Sequence, residues 1–332
     1  MRFEVCLFHF IFLLGQESTC MLAENTMTAA PPIIKRRIVL AEVTGFCFGV
    51  KRAVDIANAA RKASKGTITL LGPIVHNSQV IAKMEQEGIG TAATLVEIQE
   101  GTVVLSAHGV PPSTVTQAKS QGLNILDVTC PFVTKVHRTA KQLYDQGYQV
   151  LLVGDAEHTE VKGVIGTVEA EGGNMTVVST VEEVRALKAA NKLSKKVGLV
   201  SQTTQHNAHF GEIVGEIVRT ATDVRAVNTI CNATDELQEA AVRLAREVDV
   251  VIVVGGRKSA NTCRLRQLCA DEGVEAYHIE TAAEINADWL DNKEVIGITA
   301  GASTPDWIIE DVARALNEGK LPEDWRLRHP DE

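Results

Sequence analysis

Residues 124–137 read NILDVTCPFVTKVH, an apolar run that ends at Cys130 and is followed at once by Pro131. Proline is favoured at the first position of a helix, where its missing N–H costs no hydrogen bond. The stretch therefore predicts a short strand, a tight turn and a helix, with a cysteine where free backbone N–H groups gather. Such a cysteine is either a small buried residue or a ligand, and the rest of the chain helps to decide.

The same pattern occurs three times along the chain. Two further cysteines end an apolar run and precede an amphipathic segment. The three segments are RRIVLAEVTGFCFGV (36–50), NILDVTCPFV (124–133) and RAVNTICNAT (225–234). They place Cys47, Cys130 and Cys231 at equivalent strand-to-helix turns. The helices that follow are predicted at 49–63, 132–146 and 234–247.

The repeat extends beyond each of these helices. A second apolar strand ends in a polar residue 29, 28 and 28 positions after the cysteine, at His76, His158 and Ser259. After another helix, a third strand ends in small or polar residues at His108, Thr203 and Ser303. The carboxyl ends of parallel strands are where ligands bind in open α/β sheets. The repeat therefore predicts that all of these side chains point into one cavity.

The predicted fold is α/β, with three β-α-β-α-β lobes related by a pseudo-threefold axis and mostly parallel sheets around a central cavity. The predicted boundaries are lobe 1 at 36–130, whose first strand can pair with lobe 3, lobe 2 at 131–227, lobe 3 at 228–320 and a tail at 321–332. Residues 1–35 include the short apolar run EVCLFHFIFLLG. They are interpreted as an extension that is disordered, a targeting remnant or the product of a start-site error.

The composition excludes several function classes. A formal net charge of −9 argues against a general nucleic-acid binder, and an aromatic content of 4% argues against base-stacking surfaces. The apolar run near the start is too short for a membrane span, so no membrane partner is expected. Seven cysteines in such a chain suggest metal binding or catalysis in a reducing cytoplasm.

Three cysteines at repeat-equivalent turns predict a metal centre with three protein ligands. Thiols beside helix N-termini are expected to have a lowered pKa and to suit soft metals. Zinc with a fourth, open position and an iron–sulfur cluster with one open iron are both compatible with this pattern. Either alternative leaves room for a substrate at the metal. Cys263 and Cys269 do not follow the repeat and are interpreted as packing or surface residues.

A second set of residues predicts an anion clamp of hydrogen-bond donors beside glycine-rich turns. Its members are His76, His108, Ser259, Asn261 and Ser303. The alternative, a second metal held by histidines, is less favoured because the histidines belong to different lobes. Lys258 could add charge at the rim.

Glu160 is the candidate proton donor. It stands two residues after His158, so in an extended segment both side chains would point to the same side. A carboxylate buried beside an open metal position would have a raised pKa and could deliver protons. Thr203 could relay them, while Asp155 and Glu157 are weaker candidates. The alternative interpretation of Glu160 is an exposed turn residue.

The chain resembles the 4-hydroxy-3-methylbut-2-enyl diphosphate reductases over residues 37–318. The resemblance lies in nine ordered motifs, namely GFCFGVKRAV, VHN, SAHGV, TCPFVTKVH, HTEVKG, SQTT, TICNAT, SANTCRL and TAGASTPD. Such enzymes perform the last step of the methylerythritol phosphate route to isoprenoids. With two electrons and two protons they remove the allylic hydroxyl as water and form isopentenyl and dimethylallyl diphosphate.

The resemblance implies roles for particular residues. Cys47, Cys130 and Cys231 would hold a [4Fe-4S] cluster with one open iron. Glu160 would supply the proton, with Thr203 and His158 beside it. The diphosphate would be held by His76, His108, Ser259, Asn261 and Ser303. The other implied substrate-binding residues are His158, Thr203 and Ala260. An external one-electron donor such as ferredoxin or flavodoxin is implied as a partner, because no flavin or nicotinamide fingerprint occurs.

Ala260 departs from the family's usual Ser-Ser-Asn loop, since its hydroxyl is missing while its backbone N–H remains. Rival hypotheses are a non-catalytic iron–sulfur sensor or carrier, which would not need the clamp or Glu160, and a zinc-dependent hydrolase of a phosphorylated compound. A thiol-redox enzyme is less favoured because the chain has no Cys-x-x-Cys pair.

Overall fold

Three four-stranded parallel sheets, each flanked by helices, make up the computed structural model, which describes residues 36–316. The strands are β1 Arg37–Leu40, β2 Ile68–Leu71, β3 Gly90–Ala92, β4 Thr102–Leu105, β5 Asn124–Asp127, β6 Gln149–Val153, β7 Met175–Val178, β8 Lys196–Ser201, β9 Asp223–Ala226, β10 Val250–Val254, β11 Glu275–Ile279 and β12 Val295–Ala300. The helices are α1 Phe48–Ala63, α2 Ser78–Gln86, α3 Pro112–Ser120, α4 Pro131–Asp145, α5 Thr159–Glu169, α6 Val181–Ala189, α7 Asn207–Val218, α8 Asn232–Ala245, α9 Ala260–Asp271 and α10 Asp306–Leu316. Short 3₁₀ helices are found at Leu95–Glu97, Ala282–Glu284 and Ala287–Leu290.

The sheets repeat one topology. Their strand orders are β3-β2-β4-β5, β7-β6-β8-β9 and β11-β10-β12-β1. Every pairing among these strands is parallel. The predicted α/β fold with three related lobes is thereby confirmed. The predicted helices after the cysteines begin one or two residues earlier than expected, at Phe48, Pro131 and Asn232.

Each sheet is buried on both faces, as the strand sequences require. In β10, which reads VVIVV, Val250, Ile252 and Val254 belong to one apolar cluster while Val251 and Val253 belong to another. Successive side chains of a strand point to opposite faces, so the clusters lie on opposite sides of the sheet. Near-continuous apolar strands of this kind are typical of parallel sheets covered by helices.

The first strand lies at the edge of the third sheet, where Leu40 of β1 is in register with Ile298 of β12. β5 and β9 occupy the corresponding edges of the other two sheets. Each of these edge strands leads directly into a cysteine and then into a helix. The predicted lobe boundaries at residues 130 and 227 stay predictions, and the predicted extension 1–35 and tail 321–332 lie outside the described residues.

None of the helices within residues 36–316 is long and apolar enough to cross a membrane.

Candidate active site where the three lobes meet

The three cysteines occupy the same structural position, the N-cap of the first helix after an edge strand. Their backbone N–H groups donate to the ends of third strands of the repeat: Cys47 to Ala302 O at 3.1 Å, Cys130 to Ala107 O at 3.0 Å and Cys231 to Thr203 O at 3.0 Å. These bonds fix each cysteine beside the residues that the repeat predicts for the cavity. None of the three side chains caps its helix, so all three thiols are free for another partner.

The thiols line one cavity together with residues of all three lobes. A Cβ atom added at Gly49 would overlap with Cys130 Sγ and would lie 4.0 Å from Cys47 Sγ. Glycine is therefore required at this close approach of α1 and α4. No three His, Cys, Asp or Glu side chains of residues 36–316 are arranged to hold a single metal ion. The missing side chain at Gly49 lets Cys130 Sγ and Cys47 Sγ lie close together beside the cavity.

The expected lowering of the thiol pKa is wrong for two of the cysteines. Burial raises the pKa of Cys47, and it raises the pKa of Cys231 to about 11. Backbone N–H groups at the helix N-termini do lower the pKa, as predicted, but desolvation of the thiolate is the larger effect. Thiols that resist ionisation by themselves need a strong positive centre to become ligands.

Three histidine side chains form a second group in the same cavity. The ring centroids of His76 and His108 are 4.1 Å apart, and His158 lies 5.1 Å from the first and 5.7 Å from the second. Burial and the neighbouring His158 and Lys258 lower the pKa of His76 to about 4. Burial also lowers the pKa of His108 well below the usual value. At neutral pH these rings are uncharged hydrogen-bonding groups.

The segment that carries Glu160 is not extended, so this part of the prediction is wrong. His158 is the N-cap of α5, and its ring Nδ1 accepts a hydrogen bond from Glu160 N–H at 3.2 Å. Capping satisfies a free N–H of the first turn and starts the helix there. Ser259 caps α9 in the same way, whereas in the first lobe Asn77 and not His76 is the N-cap of α2. The repeat is thus offset by one residue at His76.

Glu160 is buried, with 2% of its surface exposed, and lines the cavity. Thr203 donates to both carboxylate oxygens, from its N–H to Oε1 at 2.7 Å and from its hydroxyl to Oε2 at 2.6 Å. Burial raises the pKa of Glu160 to about 7, although the two bonds from Thr203 act in the opposite direction. A carboxyl group with this pKa holds a proton at neutral pH and can release it.

The third lobe presents unpaired donors to the cavity. Asn261 is 3% exposed, and neither its amide nitrogen nor its amide oxygen has a hydrogen-bond partner. Ser259 Oγ accepts from Thr262 N–H at 3.3 Å, and Ser303 Oγ donates to His76 O at 3.4 Å. A buried amide without partners is costly unless a ligand completes it. All the site residues predicted from the sequence therefore line this cavity, including Ala260.

Several lining residues were not predicted. They lie two and three positions after the cysteines and are Gly49 with Val50, Phe132 with Val133, and Ala233 with Thr234. The repeat contains the signal that would have found them, since the first turn of each helix faces the same cavity. Val75, Ala107, Thr204 and Ala302 complete the lining beside predicted residues.

The weaker candidates lie elsewhere. Asp155 and Glu157 bond to each other through Glu157 N–H and Asp155 Oδ1, and Glu157 also forms an exposed ion pair with Lys162. Cys269 is buried against Ala241 O. Cys263 is exposed and lines a separate outer cleft rather than the cavity.

Comparison with known proteins gives a consistent picture. A family model described as LytB protein matches residues 38–317. A protein of Aquifex aeolicus (strain VF5) named 4-hydroxy-3-methylbut-2-enyl diphosphate reductase is 44% identical over 283 residues, which cover 85% of this chain and 96% of the relative. A protein of the same name from Pelobacter propionicus is 44% identical over 282 residues, which cover 85% of this chain and 98% of that one.

Solved structures are similar as well. One is described as (E)-4-hydroxy-3-methyl-but-2-enyl diphosphate reductase, the terminal enzyme of the non-mevalonate pathway. It has a TM-score of 0.63 and 44% identity, covering 85% of this chain and 99% of that chain. Another, described as the E-1-hydroxy-2-methyl-but-2-enyl-4-diphosphate reductase from Plasmodium falciparum, has a TM-score of 0.79 and 28% identity. That comparison covers 87% of this chain and 89% of that one.

Proposed function

The chain belongs to the LytB protein family, and from this membership we propose that it is a 4-hydroxy-3-methylbut-2-enyl diphosphate reductase. The reaction breaks the allylic C–O bond, consumes two electrons and two protons, and releases water together with isopentenyl or dimethylallyl diphosphate. The observation that carries the proposal is one cavity that joins three cysteines, a protonatable buried carboxyl and an unpartnered amide.

We propose that Cys47, Cys130 and Cys231 hold a [4Fe-4S] cluster by three of its irons. The close approach of Cys130 Sγ and Cys47 Sγ at Gly49, and the softness of sulfur donors, fit such a cluster. When bound, the cluster supplies electrons one at a time and a Lewis-acidic open iron for the substrate hydroxyl. A single zinc ion is less compatible, because among residues 36–316 no three side chains are arranged around one metal position.

The clamp residues act on the diphosphate. Asn261 has two free polar atoms, and the neutral rings of His76 and His108 can donate without bringing a charge that must be desolvated. Ser259 and Ser303 add hydroxyl groups. Neutral donors orient an anionic group by hydrogen bonds. Backbone N–H groups of the surrounding turns then compensate most of its charge.

Glu160 delivers the proton with which the leaving hydroxyl becomes water. Its pKa of about 7 keeps a substantial protonated fraction at neutral pH. When Glu160 Oε2 carries the proton, the Thr203 hydroxyl at 2.6 Å becomes the acceptor and can pass its own proton onward. His158 fixes the first turn of α5 and so holds Glu160 in place.

We place this chemistry in a reducing cytoplasm, because three free thiols and an oxygen-sensitive cluster are compatible with that compartment.

The test is anaerobic purification, iron and sulfide analysis, and reductant-driven turnover of 4-hydroxy-3-methylbut-2-enyl diphosphate. About four irons per chain and conversion to the two C5 diphosphates are expected. Cys130→Ser should lose the cluster, while Cys263→Ser, a matched cysteine outside the cavity, should keep it. A full cluster without turnover would point to a sensor or carrier, and zinc without sulfide would overturn the reductase assignment.

A further inference from the structure

A large apolar side chain is exposed directly beside the cysteine site. Within residues 36–316, four large apolar side chains are exposed, and they are Phe48, Val96, Val218 and Trp307. Phe48 is the first residue of α1, follows Cys47 directly and is 64% exposed. Exposed aromatic residues are enriched where proteins bind one another. The packing of the lobes does not explain why this position carries a phenylalanine.

Basic residues surround Phe48 on the outer faces of two helices. Lys51 and Arg52 follow it by three and four positions on α1, so they lie on the same side of that helix. Lys135 and Arg138 are both exposed on α4. Two acidic residues lie nearby. Asp55 forms an exposed pair with Lys51 at 3.6 Å, which is a weak interaction, and the exposed Asp127 accepts from the N–H of Thr129 at 2.9 Å.

The first turns of the two helices adjoin. Arg52 Nη1 donates to Thr129 O at 3.4 Å, immediately before the cysteine that begins α4. Gly49 packs against Cys130 Sγ. The exposed residues at the starts of α1 and α4 thus lie on either side of this contact, next to Cys47 and Cys130, and we call them the α1–α4 face.

The third helix that begins at a cysteine has the opposite charge. The exposed acidic residues near the start of α8 are Glu236 and Glu239. The α1–α4 face therefore carries four basic residues in a chain whose formal net charge is −9. A local field of this sign attracts acidic partners and raises their association rate.

We propose that the α1–α4 face, formed by Phe48, Lys51, Arg52, Lys135 and Arg138, docks an acidic protein that carries one electron at a time. The proposal rests on the proposed function, because only a reductase needs such a partner. Two reduced carriers would each give up one electron and leave oxidised. The allylic C–O bond breaks, one proton joins the cleaved hydroxyl to form water, and the second proton adds to a carbon of the allylic group to give the C5 diphosphate. Docking over Cys47 and Cys130 keeps the electron path short, and Phe48 supplies the apolar centre of the contact.

The test uses the cluster-loaded enzyme with two donor systems. One is an acidic plant-type ferredoxin kept reduced by NADPH and ferredoxin reductase, and the other is dithionite with methyl viologen. Binding of oxidised ferredoxin is measured separately by calorimetry at low and high salt. The test variants are Lys135→Glu and Phe48→Ser. The controls are Val96→Ser, an exposed apolar residue elsewhere, and Lys65→Glu, just beyond the other end of the 16-residue helix α1, about 24 Å away.

At low salt we expect both test variants to weaken ferredoxin binding and to slow ferredoxin-driven turnover about tenfold, with viologen-driven turnover within about twofold of the unchanged protein. High salt should reduce the difference for Lys135→Glu more than for Phe48→Ser. The proposed docking surface would be rejected if the test and control variants bound ferredoxin equally well. It would also be rejected if the test variants lost turnover equally with ferredoxin and with viologen. Absence of turnover with viologen in the unchanged, cluster-loaded protein would instead reject the reductase function, and calorimetry would still test docking.

Discussion

The second residues of α2, α5 and α9 occupy equivalent places in the three lobes but have very different surroundings. In the first lobe, the Gln79 side chain donates to Glu280 O of the third lobe. In the second lobe, both carboxylate oxygens of Glu160 are held by Thr203. In the third lobe, the Asn261 amide has no partner among the described residues. The same position of the repeat therefore bonds to another lobe in the first case, carries a carboxyl group with both oxygens bonded in the second, and has unbonded polar atoms in the third.

The comparison shows that the number of hydrogen-bond partners inside the protein distinguishes these three residues better than their residue type does. A side chain with all its partners in the protein contributes to the fold or holds a reactive group in place. The Asn261 amide has no partner and also lines the cavity, so a bound molecule can complete it. Substitutions at these places should therefore separate effects on turnover, affinity and stability.

Glu160→Gln should have the largest effect. Removing the proposed proton donor should lower kcat about 10²–10⁴-fold, because positioned acids contribute about that much. Iron content and substrate affinity should stay within about twofold of the unchanged protein, since glutamine has nearly the same shape. Glu157→Gln, three residues away in the exposed pair with Lys162, is the control and should change kcat little. Near-normal turnover of Glu160→Gln would mean that another group donates the proton.

The pH profile of turnover should reflect the same group. The pKa of Glu160 is about 7, so kcat/KM should be level at lower pH and fall about tenfold per unit at higher pH. The folded protein holds this proton more tightly than the unfolded chain. The contribution of Glu160 to the free energy of unfolding is therefore full below about pH 4.5 and is lost as the pH rises through about 7. Urea unfolding of Glu160→Gln at several pH values should lack this component, and an unchanged pH dependence would contradict the assignment.

Asn261→Ala should separate affinity from stability. Loss of the proposed donor to the diphosphate should raise the substrate Kd about 10–100-fold, equivalent to about 1–3 kcal/mol. The free energy of unfolding without ligand should not fall, because no hydrogen bond is lost. Asn77→Ala should show the reverse pattern, since its side chain accepts bonds from Gln79 and Val80 N–H and caps α2. That loss should cost about 1 kcal/mol of stability. Calorimetric binding and thermal unfolding measure the two effects, and destabilisation by Asn261→Ala would contradict this interpretation.

Ala260→Ser should have the smallest effect. The first residues of α2 and α5 are Ser78 and Thr159, and only the third lobe lacks a hydroxyl at this position. A restored hydroxyl at the cavity should strengthen substrate binding by up to about 1 kcal/mol, or about fivefold. Ser78→Ala, on the exposed side of the first lobe, should change affinity little. An unchanged KM for Ala260→Ser would show that the backbone N–H alone is sufficient.

The repeat made the fold and the cavity predictable. A strand, a cysteine and a helix recur at nearly constant spacing, and parallel strands bring their carboxyl ends together whatever the details of packing. Cys47, Cys130 and Cys231 could therefore be assigned to one place without any knowledge of distances. The same logic, carried two or three residues further, would also have identified Phe132 and Thr234 as lining residues.

Other features depend on three-dimensional packing and could not be predicted. Whether His158 continues a strand or caps a helix depends on which N–H groups lack partners. The pKa of Cys231 depends on how completely the lobes exclude water, which outweighs the effect of the helix. The close approach of the lobes at Gly256, where a Cβ would overlap with His76 O, joins residues far apart in the chain.

Because β1 belongs to the third sheet, that sheet can be completed only after the other two during synthesis. The sheets of the first two lobes are built from contiguous stretches of chain, whereas residue 37 pairs with residue 295. Sheets that need distant partners close late, and until then their edges can pair wrongly. Cys47, which follows β1, is fixed by Ala302 only when the ribosome has made almost the whole chain. The three cysteines thus come together last, after the sheets of the two other lobes are complete.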